Sequence, residues 1–338
     1  MDYIDIITEA PFEPEIIQPA ISNEADLELN NYRPFIEANT IESSLADIKK
    51  HHIIPVYIKD NETLISHYDF IETTMNVVNA EYCNERISQP IVRVSHPMKG
   101  RIPEARNKPA NELLENEKTL YYERMAFIIE IPSIQGVVGG NTLSLTVGGV
   151  KSYSQDNLYN KKGSDEHFKV FIGFKNSVCT NLCVWTDGFM SDLRVNSIGQ
   201  LEGAIKNLVE RYNANYQLSQ MQRLSNYLIT EKQFSFLIGR CRMYPYLSPN
   251  DRNEISPLLF GDQQLGTIIK DYFRDKDFHK DADGNINLWN LYNLFTGVNK
   301  SSYIDSFLDR SVNAFQFVEQ IRMCLDKKLW SWFISPIL

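Results

Sequence analysis

The central part of the chain alternates apolar and polar residues, and this period constrains the fold more than any other feature of the sequence. In "TLSLTV" (residues 142–147), Leu143, Leu145 and Val147 share one face, and the residues between them are polar. "YYERMAFIIEI" (residues 121–131) follows the same period. A period of two is typical of a β-strand with one buried face. The glycine-rich "GVVGGN" between the two strings is suited to chain reversal, so the pattern predicts antiparallel strands.

Two further strings extend this pattern into a meander. "FKVFIGFK" and "VCTNLCVW" are separated only by Asn176 and Ser177. Strands that lie this close in sequence are expected to pair as a hairpin. Residues 119–188 are therefore predicted to form about four antiparallel strands. A short strand is also predicted for "IIPVYI", at residues 53–58.

After Gly199 the apolar period becomes helical. "LEGAIKNLVERYNANYQLSQMQRLSNYL" carries apolar residues at helical spacing. Further helices are predicted at about 231–243, 262–275, 287–296, 302–309 and 311–327. An earlier helix is predicted for "SHYDFIETTMNVVNA", which opens with the capping pattern Ser66-x-x-Asp69. Strands first and helices later predict an α+β fold, in which an antiparallel β-meander (about 119–188) is followed by, and packed against, a mainly helical C-terminal half.

The negative charge of the chain is concentrated at its start. Residues 1–50 hold eleven Asp/Glu and three Lys/Arg, and so carry −8 of the net charge of −9. This segment has three prolines in its first nineteen positions and little periodicity, which predicts an acidic N-terminal arm. The remainder divides into a β-rich part (51–192) and a helical part (193–338). We expect these two parts to form one compact unit.

Cysteine usage and hydropathy predict a cytoplasmic protein. The five cysteines form no even, regularly spaced framework, which is typical of a reducing compartment. The N-terminus is acidic where a signal peptide would be basic and then apolar. No run approaches the ~18 apolar residues of a membrane span, so no membrane partner is expected. The acidic balance disfavours indiscriminate binding of nucleic acid but is compatible with a local basic groove.

The stretch "DFHKDADGNINLWNLYNLFTG" (residues 277–297) resembles a calcium-binding loop followed by a helix. With Gly284 at position six of such a loop, Asp281 and Asp283 occupy positions three and five. However, position one is a histidine, and position twelve is an asparagine where a bidentate glutamate is expected. We therefore favour a tight turn followed by a capped helix over a calcium site. The candidate caps are Asn285 and Asn287.

Residues 92–108, "VRVSHPMKGRIPEARNK", are here called the basic segment. It is predicted to be irregular, and Glu104 is its one acid. Lysine and arginine on a loop constrained by proline and glycine can contact phosphate oxygens. The candidate nucleic-acid-binding residues are Arg93, His96, Lys99, Arg101, Arg106 and Lys108. Base-stacking faces are expected from Tyr121, Tyr122, Tyr153 and Tyr159. Further cations are expected from Lys151, Lys161 and Lys162. The alternative is a solvated loop whose arginines pair with local glutamates.

No other pattern in the sequence identifies a catalytic or metal centre. Cys179 and Cys183 form a C-x3-C pair on a predicted strand, on one face with Asn181 and Trp185. His167 is the one histidine near them, whereas a structural zinc site needs four ligands. We therefore predict buried free thiols and no metal. P-loop, GxGxxG and GxSxG signatures are missing from the sequence, so the catalytic residues are unknown, no cofactor is expected and a non-enzymatic role is favoured.

Several strings carry a family resemblance: "VRVSHPMKGRIPEA", "YYERMAFIIEIP", "LTVGGV", "FKVFIGFKNSVCTNLCVWTDGF" and "LWNLYNLFTGVNKSSYIDSFLDR". Over residues 50 to the end they resemble an uncharacterised bacterial family of about this chain length, catalogued as a domain of unknown function. "NSVCTNLC" and "LWNLYNLFTG" also resemble signatures of a broader phage- and plasmid-related family of unknown function. The resemblance implies a mobile-element setting and supplies no catalytic residues.

Three functions are compatible with these observations. The first is an accessory protein of mobile elements that contacts single- or double-stranded DNA through the basic segment. The second is a protein-interaction or anti-defence role, in which the acidic arm contacts a protein partner. The third is a metal-dependent hydrolase or nuclease without a recognisable motif. The basic segment and the resemblance favour the first.

Overall fold

The computed structural model describes residues 34–51, 65–105, 107–157 and 165–335. The predicted strand at residues 53–58 lies outside these ranges. In chain order the strands are β1 (Thr40–Ser43), β2 (Ile91–Ser95), β3 (Pro97–Arg101), β4 (Lys118–Tyr122), β5 (Arg124–Val138), β6 (Asn141–Ser152), β7 (Glu166–Asn176), β8 (Leu182–Val195), β9 (Leu228–Ile229) and β10 (Ile286–Asn287).

The helices begin before the meander and dominate the part after it. They are α1 (Leu45–His51), α2 (His67–Glu81), α3 (Tyr153–Asn157), α4 (Ile198–Arg211), α5 (Ala214–Leu224), α6 (Glu231–Met243), α7 (Pro249–Asn253), α8 (Asp262–Arg274), α9 (Leu288–Asn299) and α10 (Ile304–Asp326). The predicted α+β class is thereby confirmed. Within the residues that the structure describes, no helix is both long and apolar enough to cross a membrane.

Six strands form one antiparallel sheet in the order β1-β2-β5-β6-β7-β8. The predicted meander corresponds to β5 to β8. Its first reversal is a two-residue turn at Gly139 and Gly140, with φ values of 55° and 82°. Positive φ at both positions is what a tight hairpin turn requires, and glycine adopts it without strain.

The second reversal, between β7 and β8, is longer than the predicted two residues. It spans residues 177–181, because Asn176 organises a wider turn. The Asn176 side-chain oxygen accepts from the Val178 N–H at 2.9 Å, and its backbone N–H donates to the Asn181 carbonyl at 2.9 Å. Cys179 therefore lies in the turn, not on a strand face beside Cys183 as predicted. Both thiols are free and buried, as expected.

The helix predictions hold with one exception. Ser66 and Asp69 form a capping box at the start of α2, as predicted, and α6 has the predicted bounds. The predicted break between residues 309 and 311 is wrong, because α10 runs unbroken from Ile304 to Asp326. Neither glycine nor proline occurs in that helix to interrupt its backbone hydrogen bonds.

The sheet is covered on both faces. Met125, Phe127 and Ile129 of β5 belong to the larger apolar core. The alternate residues Ala126 and Ile128 belong to a second core, which includes Phe307 from the start of α10. The last part of the predicted acidic arm also joins the sheet, because β1 pairs with β2 at its edge. Residues 1–33 of the arm lie outside the described ranges.

A close contact between α2 and the sheet provides a test of this packing. A Cβ atom on Gly149 of β6 would lie 2.4 Å from the Phe70 ring and 2.7 Å from the Lys169 carbonyl oxygen. Phe70 is itself held edge-on against Phe127 and Phe168, with ring centroids 5.0 and 4.9 Å away. We expect Gly149→Ala to lower the free energy of unfolding by about 1–3 kcal/mol, measured by urea denaturation.

Gly239→Ala in α6 is the matched control. Nothing lies within 4 Å of its added methyl group. Because alanine favours helix over glycine, this variant should gain about 0.5–1 kcal/mol. A Gly149→Ala protein as stable as the wild type would contradict the described contact between α2 and β6.

Candidate functional site

Residues 92–95 and 97–101 of the basic segment are β-strand, which corrects the expectation of an irregular loop for this part of the segment. Its residues continue from β2 into β3, which pairs with β4 as a separate two-stranded sheet, here called the β-ribbon. A short 3-10 turn follows at Pro103–Ala105. The strand register runs from Pro97 opposite Tyr122 to Arg101 opposite Lys118. β3 thus replaces the first part of the predicted loop, and Lys108 lies in the connection between β3 and β4.

The six candidate nucleic-acid-binding residues are placed differently along this segment. Arg93 lies in β2, and its guanidinium donates to the Thr40 hydroxyl and, at 2.8 Å, to the Thr40 carbonyl. His96 is exposed between β2 and β3. Lys99 and Arg101 have their backbones in β3, and Arg106 lies outside the described ranges. Lys108 forms an ion pair with Glu117.

The residues expected to extend the patch do not surround it. Tyr121 and Tyr153 are buried, and the Tyr122 hydroxyl donates to Asp47 at 3.2 Å, so these rings are not free stacking platforms. Lys151 is fully buried and is bonded to Glu166 at 2.6 Å. The remaining three candidates lie outside the described ranges: Tyr159, Lys161 and Lys162.

The calcium-loop lookalike forms the predicted turn and cap. Gly284 has a φ of 86°, and an Asp281 carboxylate oxygen accepts from the N–H groups of Asp283 and Asn285 at 3.0 and 2.7 Å. The cap is Asn287, whose side chain accepts from the third residue of α9. Across the described ranges, no three or more His, Cys, Asp or Glu side chains are grouped to hold a metal ion.

A polar pocket of about 230 Å³ lies elsewhere, between the β7–β8 turn, α8 and α9, and is here called the asparagine pocket. The turn contributes Cys179 and Asn181. The last turn of α8 and the loop after it contribute three residues, α9 and its end contribute four, and the segment before β1 contributes one. In chain order, these eight are Glu37, Asp271, Asp275, Phe278, Asn293, Leu294, Gly297 and Lys300.

Buried amides hold the wall of this pocket together. The Asn181 side-chain nitrogen donates to the Asn293 carbonyl at 3.1 Å, and the Asn293 side chain donates to the Trp289 carbonyl at 2.9 Å. Asn176 adds a longer bond, 3.4 Å, to the side-chain oxygen of Asn293. Buried polar groups that are bonded in this way define one arrangement of the backbone around them.

The charged groups of the pocket differ in their surroundings: Lys300 is hydrogen-bonded, whereas burial affects the Asp271 carboxyl and the Cys179 thiol. The Lys300 ammonium donates to the Cys179 carbonyl and, at 2.9 Å, to the Thr180 hydroxyl. Burial, together with the negative charge of Asp275, raises the pKa of Asp271 above its usual range. Burial also raises the pKa of the Cys179 thiol to about 11, so this cysteine is not an activated nucleophile.

The sequence does not predict this pocket, although both of its main strings are distinctive. Asn181 belongs to "NSVCTNLC", and Asn293 belongs to "LWNLYNLFTG". Taken alone, the first string predicts a thiol-bearing strand and the second predicts a capped helix. The signal that could have joined them is that both carry asparagines among apolar residues, where a buried amide needs a hydrogen-bonding partner.

A family model matches nearly the whole chain. It is described as "Domain of unknown function, B. Theta Gene description (DUF3871)" and covers residues 16–334. This match confirms the resemblance to an uncharacterised family of about this chain length. No curated protein and no solved structure matches the chain.

The raised pKa of Asp271 gives a prediction for stability. A carboxyl group whose pKa is raised by folding disfavours the folded state where it is ionised, and this cost disappears as the pH falls and both states become protonated. Asp271→Asn should therefore increase the Tm at neutral pH, and the increase should shrink in acid. Thermal denaturation across a pH series measures this.

Asp283→Asn is the control, because Asp283 is exposed outside the pocket and its loss removes the same charge. A similar Tm increase in both variants would show that relief of net negative charge, not the environment of Asp271, is responsible.

Proposed function

The chain belongs to the DUF3871 family, which is described without an activity, and we propose that it is a non-enzymatic, DNA-associated accessory protein of bacterial mobile elements. The observation that carries this proposal is the β-ribbon. Lys99 and Arg101 of the basic segment lie in its first strand, outside the main sheet, and a two-stranded β-ribbon is one of the shapes that the DNA major groove admits.

Binding to phosphate is compatible with the ion pairs around the β-ribbon. The Lys108 side chain is 43% exposed although it pairs with Glu117. Because the lysine side chain remains partly exposed, a phosphate can approach its ammonium group and compete with the carboxylate of Glu117. Arg93 has a structural role at the β1 edge, because it is 12% exposed and bonded to Thr40. The proposed contacts are therefore His96, Lys99, Arg101, Arg106 and Lys108.

The mobile-element setting rests on the resemblance of two short strings to a phage- and plasmid-related family. The contact between Asn181 of "NSVCTNLC" and Asn293 of "LWNLYNLFTG" supports treating them as one structural unit. A cytoplasmic location is proposed from the cysteines. All five are free, and four of them are buried, which suits a reducing compartment.

A protein-interaction role is the second candidate, motivated by the charge of −8 in residues 1–50. Because residues 40–43 form part of the sheet, the contact would be made by residues 1–33. Removal of residues 1–33 should then abolish capture of a protein partner without changing the Tm. Capture that survives this deletion would refute the role of the arm.

The DNA proposal is tested by fluorescence anisotropy of labelled single- and double-stranded DNA across a salt series. Binding through several phosphates should weaken steeply with salt, because counterions are released on binding. The triple variant Lys99→Glu, Arg101→Glu and Arg106→Glu should lower the affinity at least tenfold. It should also reduce the log–log salt slope for duplex DNA by roughly 0.9 for each phosphate contact that is lost.

The matched control reverses three exposed cations elsewhere, Lys232→Glu, Arg274→Glu and Lys327→Glu, with the same change of net charge. An equal loss of affinity in both triple variants would indicate a general charge effect and would remove the β-ribbon from the proposal. Failure of the wild-type protein to bind DNA at low salt would refute the DNA-associated function.

A further inference from the structure

The asparagine pocket is rich in hydrogen-bond acceptors and negative charge. Three carboxylates line it, from Glu37, Asp271 and Asp275, against the one ammonium of Lys300. That ammonium is directed to the β7–β8 turn, where it donates to the Cys179 carbonyl and the Thr180 hydroxyl. No ion pair among the described residues includes these three carboxylates, and Lys270 acts on Asp271 only as a neighbouring charge.

Asn181 adds an unused acceptor to the wall of the pocket. The residue is 2% exposed, and its side-chain oxygen has no hydrogen-bonding partner within the described ranges. The orientation of the amide is determined by the Asn293 carbonyl, which accepts from the side-chain nitrogen at 3.1 Å and would repel the oxygen. A buried amide oxygen without a hydrogen-bond donor lowers the stability of the protein. A ligand N–H group that donates to this oxygen removes that penalty.

The two aspartates occupy positions that are unfavourable for ionised carboxylates. Asp271 lies in the last turn of α8, and Asp275 caps the same helix, four residues later. Like charges at this spacing repel each other, and the C-terminal end of a helix is already negative. One Asp275 oxygen is occupied by the N–H groups of Asp277 and Phe278, at 2.9 and 2.8 Å, which holds its carboxylate in place.

Together these features describe a preformed site for a cation with N–H donors. We propose that the asparagine pocket binds a small organic cation, an alkylammonium or guanidinium group, between Asp271, Asp275 and the Asn181 side-chain oxygen. A bound metal ion is the less suitable occupant. Within the described residues no three or more His, Cys, Asp or Glu side chains are grouped to hold a metal ion, whereas two carboxylates and an amide oxygen can each accept an N–H group of an organic cation.

The pocket also has a size that suits such a group. Its volume of about 230 Å³ is below the ~300–1,000 Å³ of sites for drug-sized ligands, so it suits a smaller group, and Phe278 and Leu294 add apolar surface beside the acceptors. An alkyl chain could therefore pack on these side chains while its charged end meets the carboxylates. This interaction is independent of DNA binding at the β-ribbon, and either proposal can fail alone.

The test is isothermal titration calorimetry with agmatine, butylammonium and spermidine as separate probes, and with MgCl2 as the metal arm. We expect at least one organic probe to bind the wild-type protein and to raise its Tm. Asp271→Asn and Asp275→Asn should each weaken that binding at least tenfold. Asp271→Asn is expected to remain folded, because it removes a buried carboxylate that destabilises the protein at neutral pH. A loss of binding in this variant would therefore not be caused by unfolding.

Asp283→Asn is again the matched control, because it removes one negative charge from an exposed position outside the pocket. Its affinity for the same probe should equal that of the wild type. Three outcomes would overturn the proposal: no organic probe binds, Asp271→Asn binds as tightly as the wild type, or MgCl2 alone binds and loses its affinity in Asp271→Asn.

Discussion

Buried amides attach the helical half to the ends of two sheet hairpins, and the arrangement around the pocket depends on this attachment. Trp289 of α9 packs on Gly139 in the β5–β6 turn, and its indole N–H donates to Asn141 at 2.9 Å. One helical turn later, Asn293 accepts at its carbonyl from Asn181 of the β7–β8 turn. In a low-dielectric interior an amide without its partner is costly, so these bonds select one position of α9 on the sheet.

The attachment of α9 also explains how the asparagine pocket is built. The position of α9 determines where Lys300 and the loop after α8 can lie, and Lys300 in turn bonds both to the β7–β8 turn and, through its carbonyl, to Glu37 before β1. Segments far apart in sequence therefore meet around one cavity. Two features of the pocket lower the stability of the folded protein: the burial that raises the pKa of Asp271, and the Asn181 side-chain oxygen, which has no partner among the described residues. Destabilising features of this kind are typical of sites where stability is reduced in favour of binding.

The β-ribbon and the asparagine pocket differ in the kind of partner that they suit. The β-ribbon carries Lys99 and Arg101 in its first strand, and the residues beside it include the exposed His96 and Lys108, whose ion pair with Glu117 leaves its side chain partly exposed to phosphate. The pocket is partly open to solvent, acidic and small, and it suits a compact cation. A protein that used both would combine surface contact with a polyanion and specific binding of a small ligand.

The sequence alone determined the elements that depend on local periodicity and backbone chemistry. The meander, the Gly139–Gly140 turn, the Ser66 cap and most helices could be predicted, because alternation, positive φ and capping are properties of neighbouring residues. The turn after Asn176 and the unbroken α10 were missed, since a side-chain bond to the backbone and a continuous packing surface decided them. The basic segment is recognisable from its lysines and arginines. Its strand structure and its bonding partners are not, because the partners of Arg93 and Lys108 lie on other elements. Only the tertiary structure decided that Asn181, Asn293 and Asp271 line one pocket, because contacts between residues about a hundred positions apart come from packing and leave no periodic signal in the chain.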